Sequence, residues 1–201
     1  MTFTIPNLLS LFRMGLIPLF VILVVNGDLR KALLVFVVAG VTDALDGFIA
    51  RFWHQQSPLG AYLDPIADKL LLTTAYVMLS IPVLNHGTRI PPWITILVIA
   101  RDVLMVSVAL VLYLAAGVKR FPPSVLSKIN TILQVAAVVL VLVSGAFPDL
   151  RSVELAAETM LYLVAGLTVA SGLHYIYLYS HRKVREELRG IKEGTSGDTR
   201  F

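Results

Sequence analysis

Asp43-Ala44-Leu45-Asp46-Gly47-Phe48-Ile49-Ala50-Arg51 and, after eight intervening residues, Gly60-Ala61-Tyr62-Leu63-Asp64-Pro65-Ile66-Ala67-Asp68 set four aspartates among apolar runs. Stretches such as Ala32-Leu33-Leu34-Val35-Phe36-Val37-Val38-Ala39 before them and Leu70-Leu71-Leu72 after them read as helices meant for lipid. An ionised carboxylate at the centre of a bilayer costs about 2.5–3.5 kcal/mol on insertion scales, so four of them need metal, cationic partners or water. Packing gives no reason for their presence.

The rest of the chain agrees with that choice of solvent. Its 201 residues are 57% hydrophobic and 15% charged, with a mean hydropathy of +0.79, outside the usual balance of a water-soluble domain. We read one integral membrane domain over residues 1–181 and a charged, partly disordered cytoplasmic tail over 182–201. The net charge is +4 and the pI about 9.5, but Lys and Arg lie between and after apolar runs rather than on one stripe. The expected partner is therefore the lipid bilayer, with no nucleic acid. There is no cysteine, hence no disulfide or thiolate chemistry. No cleavable signal is expected, since the first residues lack a charged segment leading into a short apolar run and a small-residue cleavage site.

Working outward, the apolar runs predict an all-α membrane protein: six transmembrane helices preceded by a short amphipathic interfacial helix. The amphipathic segment is 4–13, which reads equally as the first turns of the first span. The spans follow at about 14–25, 29–54, 58–81, 93–116, 125–143 and 153–179, the last with tyrosines at its far end. Because the loop between the second and third is short, all four acids meet at one membrane face. Six spans put both termini on one side. That side holds Arg13, Arg51, Lys119, Arg120 and the basic tail, against Arg30, Lys31, Arg89 and Arg151 on the other, which makes it cytoplasmic.

Spacing within the acidic stretch carries the chemistry. Asp43 and Asp46 are three apart and Asp64 and Asp68 four apart, so each pair shares one face of its helix and the two helices present carboxylates to a common point. Hard oxygen donors in that number suit Mg²⁺ or Mn²⁺, one ion or two, better than zinc. A competing reading neutralises the acids with Arg51, Lys69 and Arg101 in a charge-balanced core, but it has no use for Gly47 and Gly60. Together with Ala50 these leave a surface poor in side chains, where a phosphate-bearing ligand can approach backbone; taken alone, small residues serve close helix packing equally well. Arg51 is suited to phosphate oxygens. His54 is a loop residue, and His86, His174 and His181 are too scattered to form a ligand set.

Asp43-x-x-Asp46-Gly47-x-x-Ala50-Arg51, eight residues, Gly60-x-x-x-Asp64-x-x-x-Asp68 resembles the signature of the CDP-alcohol phosphatidyltransferases at every fixed position and every gap. The opening Ile5-Pro6-Asn7-Leu8-Leu9-Ser10-Leu11-Phe12-Arg13 is similar to the start of the bacterial phosphatidylglycerophosphate synthases, so the resemblance covers the whole chain. It implies a six-helix homodimer in the bacterial inner (cell) membrane, transferring the phosphatidyl group of CDP-diacylglycerol to a glycerol-type alcohol and releasing CMP. By that resemblance two divalent ions, Mg²⁺ or Mn²⁺, are held by Asp43, Asp46, Asp64 and Asp68. Asp68 is also the catalytic base toward the acceptor hydroxyl, and Gly47, Ala50, Arg51 and Gly60 line the CMP and diphosphate pocket.

The implied acceptor is glycerol 3-phosphate, giving phosphatidylglycerophosphate, with phosphatidylglycerol, giving cardiolipin, as the alternative. The glycerophosphate-using members carry Arg-Glu in the fourth helix, a second Arg where Ala109 stands here, and Gly-Lys-x-Lys-Thr in the fifth. This chain has Arg101-Asp102 and Ser127-Lys128-Ile129-Asn130-Thr131, closer to the cardiolipin synthase pattern. The opening segment ranks glycerol 3-phosphate first. Arg101 and Lys128 are expected to bind the acceptor's phosphate. A divalent-cation transporter, the reading from another class, would string acids along a path across the membrane, whereas these gather near one face.

Overall fold

A backbone in lipid has no water to satisfy its N–H and C=O groups, and long apolar runs solve this by coiling within each segment. The computed structural model describes residues 5–52, 60–81, 90–116 and 125–195. Within them the chain forms six helices: α1 Ile5–Val25, α2 Leu29–Phe52, α3 Gly60–Ser80, α4 Pro92–Ala116, α5 Val125–Ala146 and α6 Arg151–Thr195. α1 packs on α2 and α3, α5 on α2 and α6, and α4 on α6 and α3.

The outside of this bundle is apolar. Every helix turns large hydrophobic side chains outward, among them Ile22, Leu34, Leu70, Val106, Ile132 and Leu155. Polar groups go inward instead: Ser10, Arg13, Thr95, Arg101, Asn130 and Gln134 are all buried. Such an inverted distribution suits a surrounding solvent of acyl chains. Two stretches among the described residues, Leu126–Ala146 and Arg151–Leu173, are long and apolar enough to cross a membrane, and α1 adds a shorter one, Leu9–Val25. α2, α3 and α4 are 24, 21 and 25 residues long, sufficient in length, but they carry the charges of the acidic stretch and its surroundings.

One sequence expectation needs correcting. No separate interfacial helix precedes the first span: residues 5–13 run without a break into the rest of α1. Their amphipathic pattern points the other way round, with Ser10 and Arg13 fully buried while Leu11 and Phe12 face outward, so the polar face meets the protein interior rather than headgroups. α6 is 45 residues long and continues to Thr195, into the charged tail. At about 1.5 Å per residue it extends roughly 68 Å, twice the ~30 Å hydrocarbon thickness. Residues 196–201 fall outside the described part.

One end of the bundle is closed by short turns. Asn26-Gly27-Asp28 joins α1 to α2, with Gly27 at a φ of 74°, a left-handed conformation that favours glycine. Beside it the Arg30 guanidinium donates through Nε to the Ala146 carbonyl at 3.0 Å and lies 5.2 Å from the centre of the Phe147 ring, tying the start of α2 to the α5–α6 turn. Ile90 donates its N–H to the Leu79 carbonyl, so α3 and α4 also meet at this end. Phe20, Val24, Leu79, Ile90, Ile94 and Leu142 fill the interior behind these turns.

Candidate active site

The charged residues collect at the opposite end. α2 brings Asp43 there near its C-terminus and α3 brings Asp68 two turns after its start, in antiparallel register. Just before Asp43, the Thr42 hydroxyl donates back to the Ala39 carbonyl at 2.8 Å, a local bond that satisfies a polar side chain without drawing on the site. Both carboxylates are about half exposed, at 42% and 45% of the side chain.

Between them stands Arg13 of α1, with a side chain that is 0% exposed. Its Nη1 lies 2.8 Å from Oδ1 of Asp43 and also donates to Oδ1 of Asp68. A single nitrogen thus marks the point at which carboxylates from two helices converge. The spacing argument brought four acids toward one point; the described residues show two of them meeting at an arginine it did not foresee. Arg13 entered the sequence reading only as one more cytoplasmic cation, although the need of membrane acids for a cationic partner was the signal that could have found it.

Asp46 and Asp64 lie in α2 and α3, three residues from Asp43 and four from Asp68. Their side chains, and those of Gly47's neighbours Ala50 and Arg51, fall outside the described part, as does the surroundings of Gly60. Among the described residues, no three acidic or histidine side chains are grouped so as to hold a metal. The described pair does fit a hard divalent ion: two carboxylates aimed at one place from separate helices, still reachable from outside. The histidines His54 and His86 fall outside the described residues, and nothing is described of the side chains of His174 and His181.

A second polar group adjoins the first, because Lys69 follows Asp68 directly. Lys69 pairs with Oδ2 of Asp102 on α4, and Oδ1 of the same carboxylate takes the Arg101 guanidinium at 2.8 Å. Arg101 also donates to the Ser127 hydroxyl on α5 at 2.7 Å, leaving its Nε without a partner among the described residues. One turn further into the bundle, Asn130 and Thr168 of α6 exchange hydrogen bonds at 3.3 Å. Lys128, beside Ser127, is exposed and has no ion pair among the described residues. Of the two predicted acceptor residues, one is therefore buried and engaged, the other open.

The described residues thus set two carboxylates at one end of a helical bundle with a polar interior. The chain belongs to the CDP-alcohol phosphatidyltransferase family, whose pattern it matches over residues 3–170. It is 35% identical over 200 residues to the human protein named cardiolipin synthase (CMP-forming), which covers 90% of this chain and 63% of the human one. It is 37% identical over 181 residues to the Escherichia coli K12 protein named CDP-diacylglycerol–glycerol-3-phosphate 3-phosphatidyltransferase, covering 88% of this chain and 94% of that protein. The chain thus spans less than two thirds of the human relative's length.

Proposed function

We propose that this chain transfers the phosphatidyl group of CDP-diacylglycerol to an alcohol and releases CMP, at the cytoplasmic face of a membrane that all six helices cross, as a homodimer. The observation that carries the reading is the meeting of Asp43 and Asp68 at one nitrogen of Arg13, in a chain of this family. Bound Mg²⁺ or Mn²⁺ would neutralise the diphosphate and make CMP a better leaving group. Asp43, Asp46, Asp64 and Asp68 are the residues to hold such ions, and Gly47, Ala50, Arg51 and Gly60 line the CDP pocket. Asp68 acts as base: it takes the proton from the acceptor hydroxyl as that oxygen attacks the lipid phosphorus, and the bond from that phosphorus to the oxygen of CMP breaks with its electron pair leaving on CMP. The apolar exterior lets the donor keep its acyl chains in lipid during the reaction.

For the acceptor, the second polar group supports phosphatidylglycerol. Arg101 and Lys69 are both held by the single carboxylate of Asp102, which leaves Lys128 as the exposed cation without an ion pair at this corner among the described residues. A phosphodiester carries one negative charge, and it makes a smaller demand for cations than the dianion of glycerol 3-phosphate. Glycerol 3-phosphate is the second reading, favoured by the opening segment and by the likeness to nearly the whole length of the Escherichia coli relative. Purified protein with CDP-diacylglycerol and Mg²⁺, offered each acceptor in turn, tests both. The expected result is CMP and cardiolipin from phosphatidylglycerol. Phosphatidylglycerophosphate from glycerol 3-phosphate would move the chain to the second reading, and CMP from neither would remove the transferase reading.

A further inference from the structure

Arg13 is the largest of the side chains that the bundle buries completely, and it comes from α1, a helix that holds none of the signature residues. Its Nη1 is bonded to Oδ1 of Asp43 and to Oδ1 of Asp68. These belong to the carboxylates that the proposed metal site requires. Nη1 stands at the point where the two Oδ1 atoms converge, so an ion held there by both oxygens would take its place. In that exchange the guanidinium loses two carboxylate partners, and burying its charge becomes costlier.

We propose that Arg13 is an internal cation competing with the divalent ion for Asp43 and Asp68, so that loading of the ion exchanges guanidinium for metal and moves Arg13 out of its buried seat. The proposal rests on the metal-site reading above. It gives α1 a part in metal binding although α1 supplies no ligand: the exchange replaces the ion pairs by which α1 is tied to α2 and α3.

The test uses the full chain in nanodiscs. Mn²⁺ affinity is read from the electron paramagnetic resonance of the free ion, and the accessibility of Arg13 from phenylglyoxal labelling mapped by mass spectrometry. Arg13→Met, similar in length but uncharged, is expected to bind Mn²⁺ roughly tenfold tighter or more, the scale of hydrogen bonds to charged groups. Wild-type Arg13 is expected to label faster with saturating Mn²⁺ than with EDTA. Arg13→Lys, whose ammonium lacks the two-sided fork, falls between, and serves as the affinity test if the Met variant does not fold. Affinity unchanged or weakened in the variants, or labelling that Mn²⁺ leaves unchanged or lowers, would overturn the exchange and leave the metal site standing. If wild type and variants alike bind no Mn²⁺, the metal-site reading itself fails and takes the exchange with it.

Discussion

Where α1 turns into α2, three residues make the connection, the interior is aromatic and aliphatic, and one arginine, Arg30, clips two turns together. At the far end of the same helices stand the buried Arg13 and Arg101, the half-exposed Asp43, Asp68 and Lys69, and Asp102. Both ends are cut from the same six helices, so the difference is one of side chains alone. The apolar end joins the helices by packing, and the charged end joins them by ion pairs, α1 to α2 and α3 and α3 to α4.

That comparison can be broken by exchanging injuries between the ends. Asp68→Asn is expected to have the largest effect, a loss of about 10³-fold in transfer, the range of a removed general base, with a smaller effect on stability because Asp43 still pairs with Arg13. Residual turnover near wild type, measured as CMP release, would take Asp68 out of the base role. Phe20→Ala at the apolar end should do the opposite, costing about 2 kcal/mol in unfolding while the folded fraction keeps its rate. The figure is below that of a water-soluble core because lipid is itself apolar and only packing contacts and a cavity are at stake. A denaturation curve together with specific activity decides it.

Two smaller effects sharpen the contrast. Lys128→Gln should raise the acceptor KM by about tenfold with little change in the donor KM, the loss expected when one charge-assisted contact goes. Equal changes in both constants would mean that Lys128 does not bind the acceptor. Arg30→Gln removes a hydrogen bond and a cation–π contact at an exposed position, so a stability loss of about 0.5–1 kcal/mol and unchanged transfer are expected. A fall in activity there would show that the closed end is coupled to the site.

The helices were legible because lipid imposes a simple rule on sequence: long apolar runs broken by turn residues. Helix starts such as Leu29, Pro92 and Val125 fall where the runs begin. The error at residues 5–13 came from reading alternating polar and apolar residues as a surface helix, when a bundle with a charged interior needs the same alternation with its faces exchanged. The continuation of α6 was hidden because its last turns are charged and so resemble a disordered tail; apolar content does not report how far hydrogen bonding can propagate past the membrane. The convergence of Asp43 and Asp68 could be read from spacing on two adjoining helices. Lys69–Asp102 could not, since a pairing between helices depends on which faces meet, and Arg13 was signalled only by the acids' need of a cation.

Arg13 leaves the ribosome before any aspartate of the site exists. Alone in lipid it would cost α1 about 2.5–3.5 kcal/mol on insertion scales. Its second carboxylate, Asp68, lies 55 residues further along. Until then the Gly27 turn holds α1 against α2, where Asp43 provides a first partner. On the proposed six-span topology, insertion is therefore a collective event over the first three helices, while the apolar stretches of α5 and α6 can enter the bilayer on their own merits.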